Sequence, residues 1–419
     1  MSIKTMDYAI QYDGQDELSR FRSEFHIPKN PDGSEIIYMC GNSLGLQPKR
    51  TKEIVNRELE RWADLAVEGH FKGESAWTRI HKLYAPAMAK IVGAKDTEVT
   101  LMNTLTTNLH LLLATFYRPK PSKNKILVEY NLFPSDRYAL QSQIEWHGYS
   151  FEDALIELKP NSGSIITQDE IAEYIEKYKD ELALIIIGGV NYFSGQFYDI
   201  PYLSTLAKKY NIPFGLDLAH AAGNIPLKLH DWDVDFAVWC NYKYLNGGPG
   251  AIAGAYVHEK HHSDSTFKLK GWYGYEEKNR FLMTDYFVGE PDVNSWQLSN
   301  QPVLSLVTLE ASLQLFEEAG MDKLRAKSIR MTTYLSSLIQ TLDGNLVEQL
   351  TPSDPGQRGC QLSIKLKNGD RSVFNAIRED GILPDWRNPN VIRFSPVPLY
   401  NSFMDCYKAF LSLKNALGQ

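Results

Sequence analysis

The chain has 419 residues, 43% of them apolar and 23% charged, so it is long enough for roughly two or three ordinary globular domains. Lys and Arg number 44 against 51 Asp and Glu, a formal net charge of −7, which argues against nucleic acid or an anionic membrane as the main partner. Cys40, Cys240, Cys360 and Cys406 are far apart with no C-x-x-C pair, which excludes a zinc ribbon or a disulfide scaffold and points to a reducing compartment.

The first 45 or so residues read as irregular, with a turn-rich Gly41-Asn42-Ser43-Leu44-Gly45 loop, and are expected to cross onto a second domain. Residues 103–108, with three threonines and two asparagines ahead of an apolar run, read as a helix start rich in capping groups. Residues 125–130 read as a strand, Phe133-Pro134-Ser135-Asp136 as the loop after it, 137–147 as a helix and 154–158 as a short strand. A helix over 167–181, with acidic residues in its first turn, leads to a strand over 182–190 that is apolar on both faces, as in the middle of a parallel sheet. That run, the most apolar in the chain, is far short of the ~18 residues of a membrane helix, and the N-terminus lacks an apolar signal core. A soluble, cytoplasmic protein is therefore expected. A helix over 200–210 and strands over 212–218, 235–242 and 251–258 complete an α/β unit with a mostly parallel sheet. Beyond about residue 305 come helices over 303–319 and 322–342, a strand over 360–366, a helix over 372–379, a strand over 391–395 and a helix over 403–416. The expected division is an N-terminal segment (1–45), a large domain (46–305) and a smaller α+β domain (306–419).

Ligands of open α/β sheets bind past the carboxyl ends of the strands. Asp217 and Lys243 stand at two such ends, consecutive in sequence. Alone, each is an ordinary cap or a solvated strand end. Lys243, however, lies between Tyr242 and Tyr244, ahead of Gly247-Gly248-Pro249-Gly250, in a packed corner. A lysine amine can form a Schiff base with an aldehyde cofactor, and pyridoxal phosphate works as an electron sink only while a carboxylate keeps its ring nitrogen protonated. The threonine-rich helix start at 103–108 suits the phosphate. Two other patterns compete. His258-Glu259-Lys260-His261-His262 has the H-e-x-x-H form of zinc proteases but follows a strand; it reads as an exposed polar turn, and no metal is expected. Gly248–Ala253 fits a dinucleotide fingerprint but precedes a strand and contains Pro249.

Longer blocks resemble the kynureninase family: Gly41–Pro48, Asp217–Asn224, His230–Ala237, Tyr242–Asn246 and Pro396–Ser402, in the same order across about residues 35–415. The resemblance implies a homodimer with the fold of type I pyridoxal-phosphate enzymes, hydrolysing kynurenine or 3-hydroxykynurenine to an anthranilate and alanine. It implies Lys243 as the Schiff-base lysine, Asp217 as the ring-nitrogen partner and Phe133 as the stacking ring. Leu105, Thr106, Pro134, Ser135, Asp136 and His220 are implied as further cofactor contacts, with Tyr242 and Trp272 reaching the phosphate. Tyr242 is also a possible acid/base. Trp272 and Asn300 would come from the neighbouring subunit. Arg393 would clamp the substrate carboxylate, a task suited to a bidentate guanidinium, and Ser43 would lie beside the substrate. His70, Ser299 and Asn300 would surround its aromatic ring, a polar set similar to that of animal kynureninases and favouring the hydroxylated substrate. Gly188 stands where some members carry a hydroxyl residue, and no role is assigned to it. The alternative is another enzyme of the same fold, such as a cysteine desulfurase, with Cys360 as the reactive thiol after a Pro/Gly-rich loop.

Overall fold

The computed structural model describes residues 3–367 and 369–419. In chain order the first part contains α1 (Met6–Gly14), β1 (Ile37–Tyr38), α2 (Thr51–Leu65), α3 (His81–Val92), β2 (Val99–Leu101) and α4 (Leu105–Phe116). It continues through β3 (Lys125–Val128), α5 (Pro134–Trp146), α6 (Phe151–Ala154), β4 (Leu155–Glu157), α7 (Gln168–Tyr178), β5 (Leu182–Gly188), α8 (Ile200–Lys209), β6 (Phe214–Asp217), β7 (Phe236–Trp239) and β8 (Gly254–Val257). The second part contains α9 (Val303–Ala319), α10 (Met321–Ile339), β9 (Val347–Gln349), β10 (Leu362–Leu366), α11 (Arg371–Glu379), β11 (Ile382–Leu383), β12 (Asp385–Arg387), β13 (Val391–Phe394) and α12 (Phe403–Ala416).

Seven strands form the large sheet in the order β2-β8-β7-β6-β5-β3-β4. β7, β6, β5, β3 and β4 run parallel, and β5 is buried along its whole length, as its unbroken apolar run requires. β8 runs antiparallel to both β7 and β2. The reason is the link before it: residues 240–253 contain no helix, and a parallel return needs a helical crossover. The helices between the parallel strands start where local chemistry dictates. Thr167 and Glu170 form a reciprocal capping box on α7. α5 begins three residues before the expected 137, because Pro134 has its φ preset for the first helical turn and needs no amide partner there.

Two apolar clusters, one containing Leu127, Ile185 and Trp239 and the other Ile126, Ile186 and Val238, sandwich this sheet. A third fills the antiparallel sheet β12-β13-β10-β9 and its helices α10–α12. The buried residues of α9 belong to the first cluster. The change of core falls inside α10, between Leu324 and Met331, rather than ahead of α9 where the sequence texture changes. The N-terminal segment is more ordered than expected. α1 is capped by Thr5 and buries Ala9 in the third cluster, where Met39 also packs; Phe21 and Phe25 pack into the first. β1 pairs with β11. Tertiary burial, not periodicity, makes α1 a helix. No helix among the described residues is long and apolar enough to cross a membrane.

Candidate active site

The carboxyl ends of β3, β5, β6 and β7 open into one cavity. β6 ends in Asp217, whose Oδ1 accepts the Ala219 amide at 2.7 Å. The chain leaving β7 turns through Tyr242 and Lys243, also on the cavity wall. The expected strand over 235–242 thus ends at Trp239, which frees residues 240–243 from the sheet ladder. Lys243 Nζ lies 3.1 Å from His220 Nε2 and 5.9 Å from the centre of the Phe133 ring. Burial, then the Lys243 charge, holds the His220 imidazole well below its usual range, so it is neutral and can accept from the amine. Phe133 is 37% exposed, packed edge-on to Tyr192 at 5.1 Å.

Two helices aim their N-termini at the same place. Thr104 at the start of α4 makes no side-chain capping bond, so first-turn amides there remain free for a ligand; on α5 the Ser135 amide does so, since Pro134 has no N–H and the Asp136 amide donates to the Phe133 carbonyl. The starts meet where the hydroxyls of Thr106 and Ser135 lie 2.7 Å apart. Helix starts with free amides and hydroxyls suit a phosphate.

Asp136 lies in the first turn of α5, buried beside Asp217. Burial, then the Asp217 charge beside it, pushes its carboxyl well above the usual range, which favours its protonated form. Oδ1 of Asp136 and Nδ1 of His220 are buried without hydrogen-bond partners. Two orphaned polar atoms in one cavity fit a polar ring held there, because a native fold rarely leaves such atoms unpaired. Burial pushes the Tyr242 phenol up, so it stays protonated at neutral pH.

Leu105, Thr106, Phe133, Ser135, Asp136, Asp217, His220, Tyr242 and Lys243 therefore line one cavity, with Pro134 on the adjoining cleft. Arg393 is not on this wall. Its fully buried guanidinium is anchored by Asp385 and donates from Nη1 to the Tyr192 carbonyl at 2.5 Å. Burial lowers its pKa to about 10, which leaves it charged at neutral pH. Ser43 lies in the turn whose Cys40 is within electrostatic reach of Arg393. Trp272, Ser299, Asn300 and His70 lie away from the cavity of their own chain. Trp272 is 46% exposed and donates to the Arg280 carbonyl, Ser299 and Asn300 are exposed, and His70 packs against Trp77.

The chain matches the kynureninase C-terminal domain model over residues 324–413. A kynureninase of Flavobacterium johnsoniae is 47% identical over 99% of this chain and 98% of its own. The chain belongs to the kynureninase family. Among solved structures it resembles a cysteine desulfurase of Thermococcus onnurineus, with a TM-score of 0.77 and 17% identity over 95% of this chain and 98% of that one. It also resembles a C-DES lysine-to-alanine mutant with glycine covalently linked to its PLP cofactor, with a TM-score of 0.76 and 17% identity over 94% of this chain and 98% of that one. At these identities the likeness shows the fold, the one expected for a kynureninase.

Cys360 does not suit the alternative of a desulfurase thiol: it is buried, beside Tyr244, and burial pushes its thiol up to about 12. The 258–262 pattern does not gather its histidines either. His262 bonds the Val257 carbonyl, His261 pairs with Asp235, and His258 stacks face to face on His230 beside Glu98. Glu98, His230 and His258 instead bring one ligand atom each to within 4.8 Å of one another, a grouping able to hold a metal ion, and Glu98 also accepts the amides of Lys95 and Glu259.

Sequence reasoning missed Glu129, Asn191, Tyr192 and Asp385. Glu129 follows the last residue of β3 and is buried on the cavity wall. An acid ending an apolar strand at the ligand edge was the available signal. Gly188 has a steric reason to be glycine: a Cβ there would stand 2.8 Å from Glu129 Oε1.

Proposed function

We propose that the chain hydrolyses the Cβ–Cγ bond of kynurenine or 3-hydroxykynurenine to alanine and an anthranilate, with pyridoxal 5'-phosphate in the cavity. The observation that carries this is the Lys243 amine set between Phe133, His220 and the Asp136–Asp217 pair, in a chain of this family. The cofactor, when bound, supplies an electron sink for the substrate's α-carbon.

The chain's own groups have distinct tasks. Lys243 would hold the cofactor's aldehyde carbon, and its amine, when free, is the group placed to take the substrate's α-proton. Neutral His220 leaves that amine free to do so. Asp217 would keep the cofactor's ring nitrogen protonated, and the raised pKa of Asp136 limits the second negative charge in the cavity. The α4 and α5 starts, with Thr106, Ser135 and Tyr242, hold the phosphate. Arg393 clamps the substrate carboxylate. Tyr242, a neutral phenol, donates a proton during or after the water-driven cleavage of the ketone.

The active unit is a homodimer in the cytoplasm, serving tryptophan catabolism and NAD biosynthesis. Exposed Trp272, Phe281, Leu282 and Met283 support the dimer, because so much clustered apolar surface calls for a partner. Trp272 and Asn300 then reach the neighbour's site. With His70 and Ser299 they favour the hydroxylated substrate, since a polar pocket discriminates against an analogue that lacks its hydrogen-bonding group. Quantifying alanine and anthranilate from both substrates tests the reading. Alanine should form in a 1:1 ratio to the aromatic product, with kcat/KM higher for 3-hydroxykynurenine. The ratio should fall in a His70→Trp, Asn300→Thr double variant. No alanine from either substrate sinks the activity; an unmoved ratio sinks only the specificity argument.

A further inference from the structure

Glu129 accepts the Asn191 side-chain amide at 3.1 Å, with Gly188 and Tyr198 beside it as further neighbours of the carboxyl. The same Asn191 amide also donates to the Tyr130 carbonyl at 2.9 Å. On its other side Asn191 Oδ1 accepts from the Phe193 and Ser194 amides and the Ser194 hydroxyl, at 3.0, 2.9 and 3.1 Å. One asparagine thus shapes the turn after β5 from within and ties it to Glu129.

That turn is also the point where the large sheet meets the small one. The Tyr192 carbonyl accepts from Arg393 Nη1 at 2.5 Å and from Gln361 Nε2 at 3.0 Å. The Phe193 and Ser194 carbonyls accept from the Ser363 and Thr351 hydroxyls, each at 2.6 Å. The small-sheet side chains therefore meet carbonyls whose direction is set from the cavity side. Arg393 has few other anchors: Asp385 holds it, while its Nε is buried without a hydrogen-bond partner.

We infer that Glu129 is a positioning residue for substrate binding: through Asn191 it sets the Tyr192 carbonyl that orients Arg393. This rests on the reading of Arg393 as the clamp of the substrate carboxylate. A bidentate pair depends steeply on direction, so a turn that loses its internal bonds costs affinity for the carboxylate before it costs the chemistry. Groups facing Glu129 are Asp217 from β6, Asp136 from α5, and Tyr198 and Asn191 from the segment after β5. Lys243 shares the cavity wall but its charge acts on Asp136 and its amine meets His220, which leaves the Glu129 carboxyl free to serve as the acceptor of that turn.

The test uses the holoenzyme and four variants. Glu129→Ala and Asn191→Ala should each raise KM about tenfold while kcat stays within about threefold, and Glu129→Gln, which keeps an acceptor oxygen, should recover most of the KM. Arg393→Leu serves as the control on the underlying reading. The affinity for L-alanine, titrated through the visible absorbance, reads carboxylate binding without turnover and should weaken in step with KM. If Arg393→Leu raises KM while Glu129→Ala and Asn191→Ala leave KM and alanine affinity unchanged, the inference is overturned and the clamp stands. Should both alanine variants instead lose kcat and cofactor retention at unchanged KM, Glu129 serves only the cavity wall, and the inference again fails. If Arg393→Leu itself leaves KM unchanged, the clamp reading falls first. Asn191→Ala probes the same link from the other end of the Glu129–Asn191 pair, so a failure of Glu129→Ala to fold leaves the question answerable.

Discussion

Two ion pairs one helical turn apart on α10 should differ sharply in what they contribute. Lys327 and Asp16 are 2.7 Å apart with side chains only 2% and 5% exposed, and Lys327 also donates to the Pro398 carbonyl at 2.7 Å. Lys323 and Glu17 are 2.9 Å apart, but 66% and 75% exposed. Burial lowers the Lys327 pKa and the Asp16 charge opposes that, so the amine stays buried as a cation because its partner is there. Asp16→Asn removes the partner and strands the charge, a change that costs about 3–5 kcal/mol. That is a large fraction of the ~5–15 kcal/mol that holds an ordinary domain together. Glu17→Gln removes only a solvated, salt-screened pair and should leave the urea midpoint close to wild type. Urea denaturation at pH 7 reads both, with the apolar double variant Asp16→Leu, Lys327→Met expected to recover most of the loss. Because Pro398 lies just beyond β13, which carries Arg393, the Asp16→Asn variant should also show a raised KM. Equal costs for Asp16→Asn and Glu17→Gln would refute the burial argument.

Asp217→Ala should weaken cofactor retention and lower kcat by orders of magnitude, since a neutral pyridine is a poor electron sink; retained kcat with an unshifted visible spectrum would count against the pairing. Arg393→Leu should raise KM by ~10-fold or more, from a charge-assisted pair worth about 1.5–3 kcal/mol, with the visible spectrum little changed. Burial raises the Glu129 carboxyl from 4.5 to about 7. Its contribution to stability is therefore whole below 4.5 and is lost as pH rises through about 7. Glu129→Gln should flatten the pH profile of the unfolding free energy from urea titrations there by up to about 3 kcal/mol, and a profile parallel to wild type would contradict the assignment.

The parallel core of the fold was legible because β5 and its neighbours are apolar on both faces and separated by amphipathic helices. Helix ends were legible where a capping box or proline marks them, as at Thr167. α1 was not, because its burial depends on α12, far along the chain. The two-residue strands β1 and β11 were invisible for the same reason: their pairing is the only thing that makes them strands. At the site, Asp217 and Lys243 stood out as charged residues at strand ends. Glu129 did not, since an acid after a strand is usually a solvated cap and only the three-dimensional enclosure shows it buried. Asp385 was illegible as a partner of Arg393 because the two meet through antiparallel register, which spacing does not reveal.

Reduction of the holoenzyme with borohydride, followed by peptide mass mapping, tests the central claim most directly. A cofactor adduct should sit on the peptide carrying Lys243, and Lys243→Ala should show neither the adduct nor turnover. An adduct on another lysine, or near-native turnover by Lys243→Ala, would contradict the account.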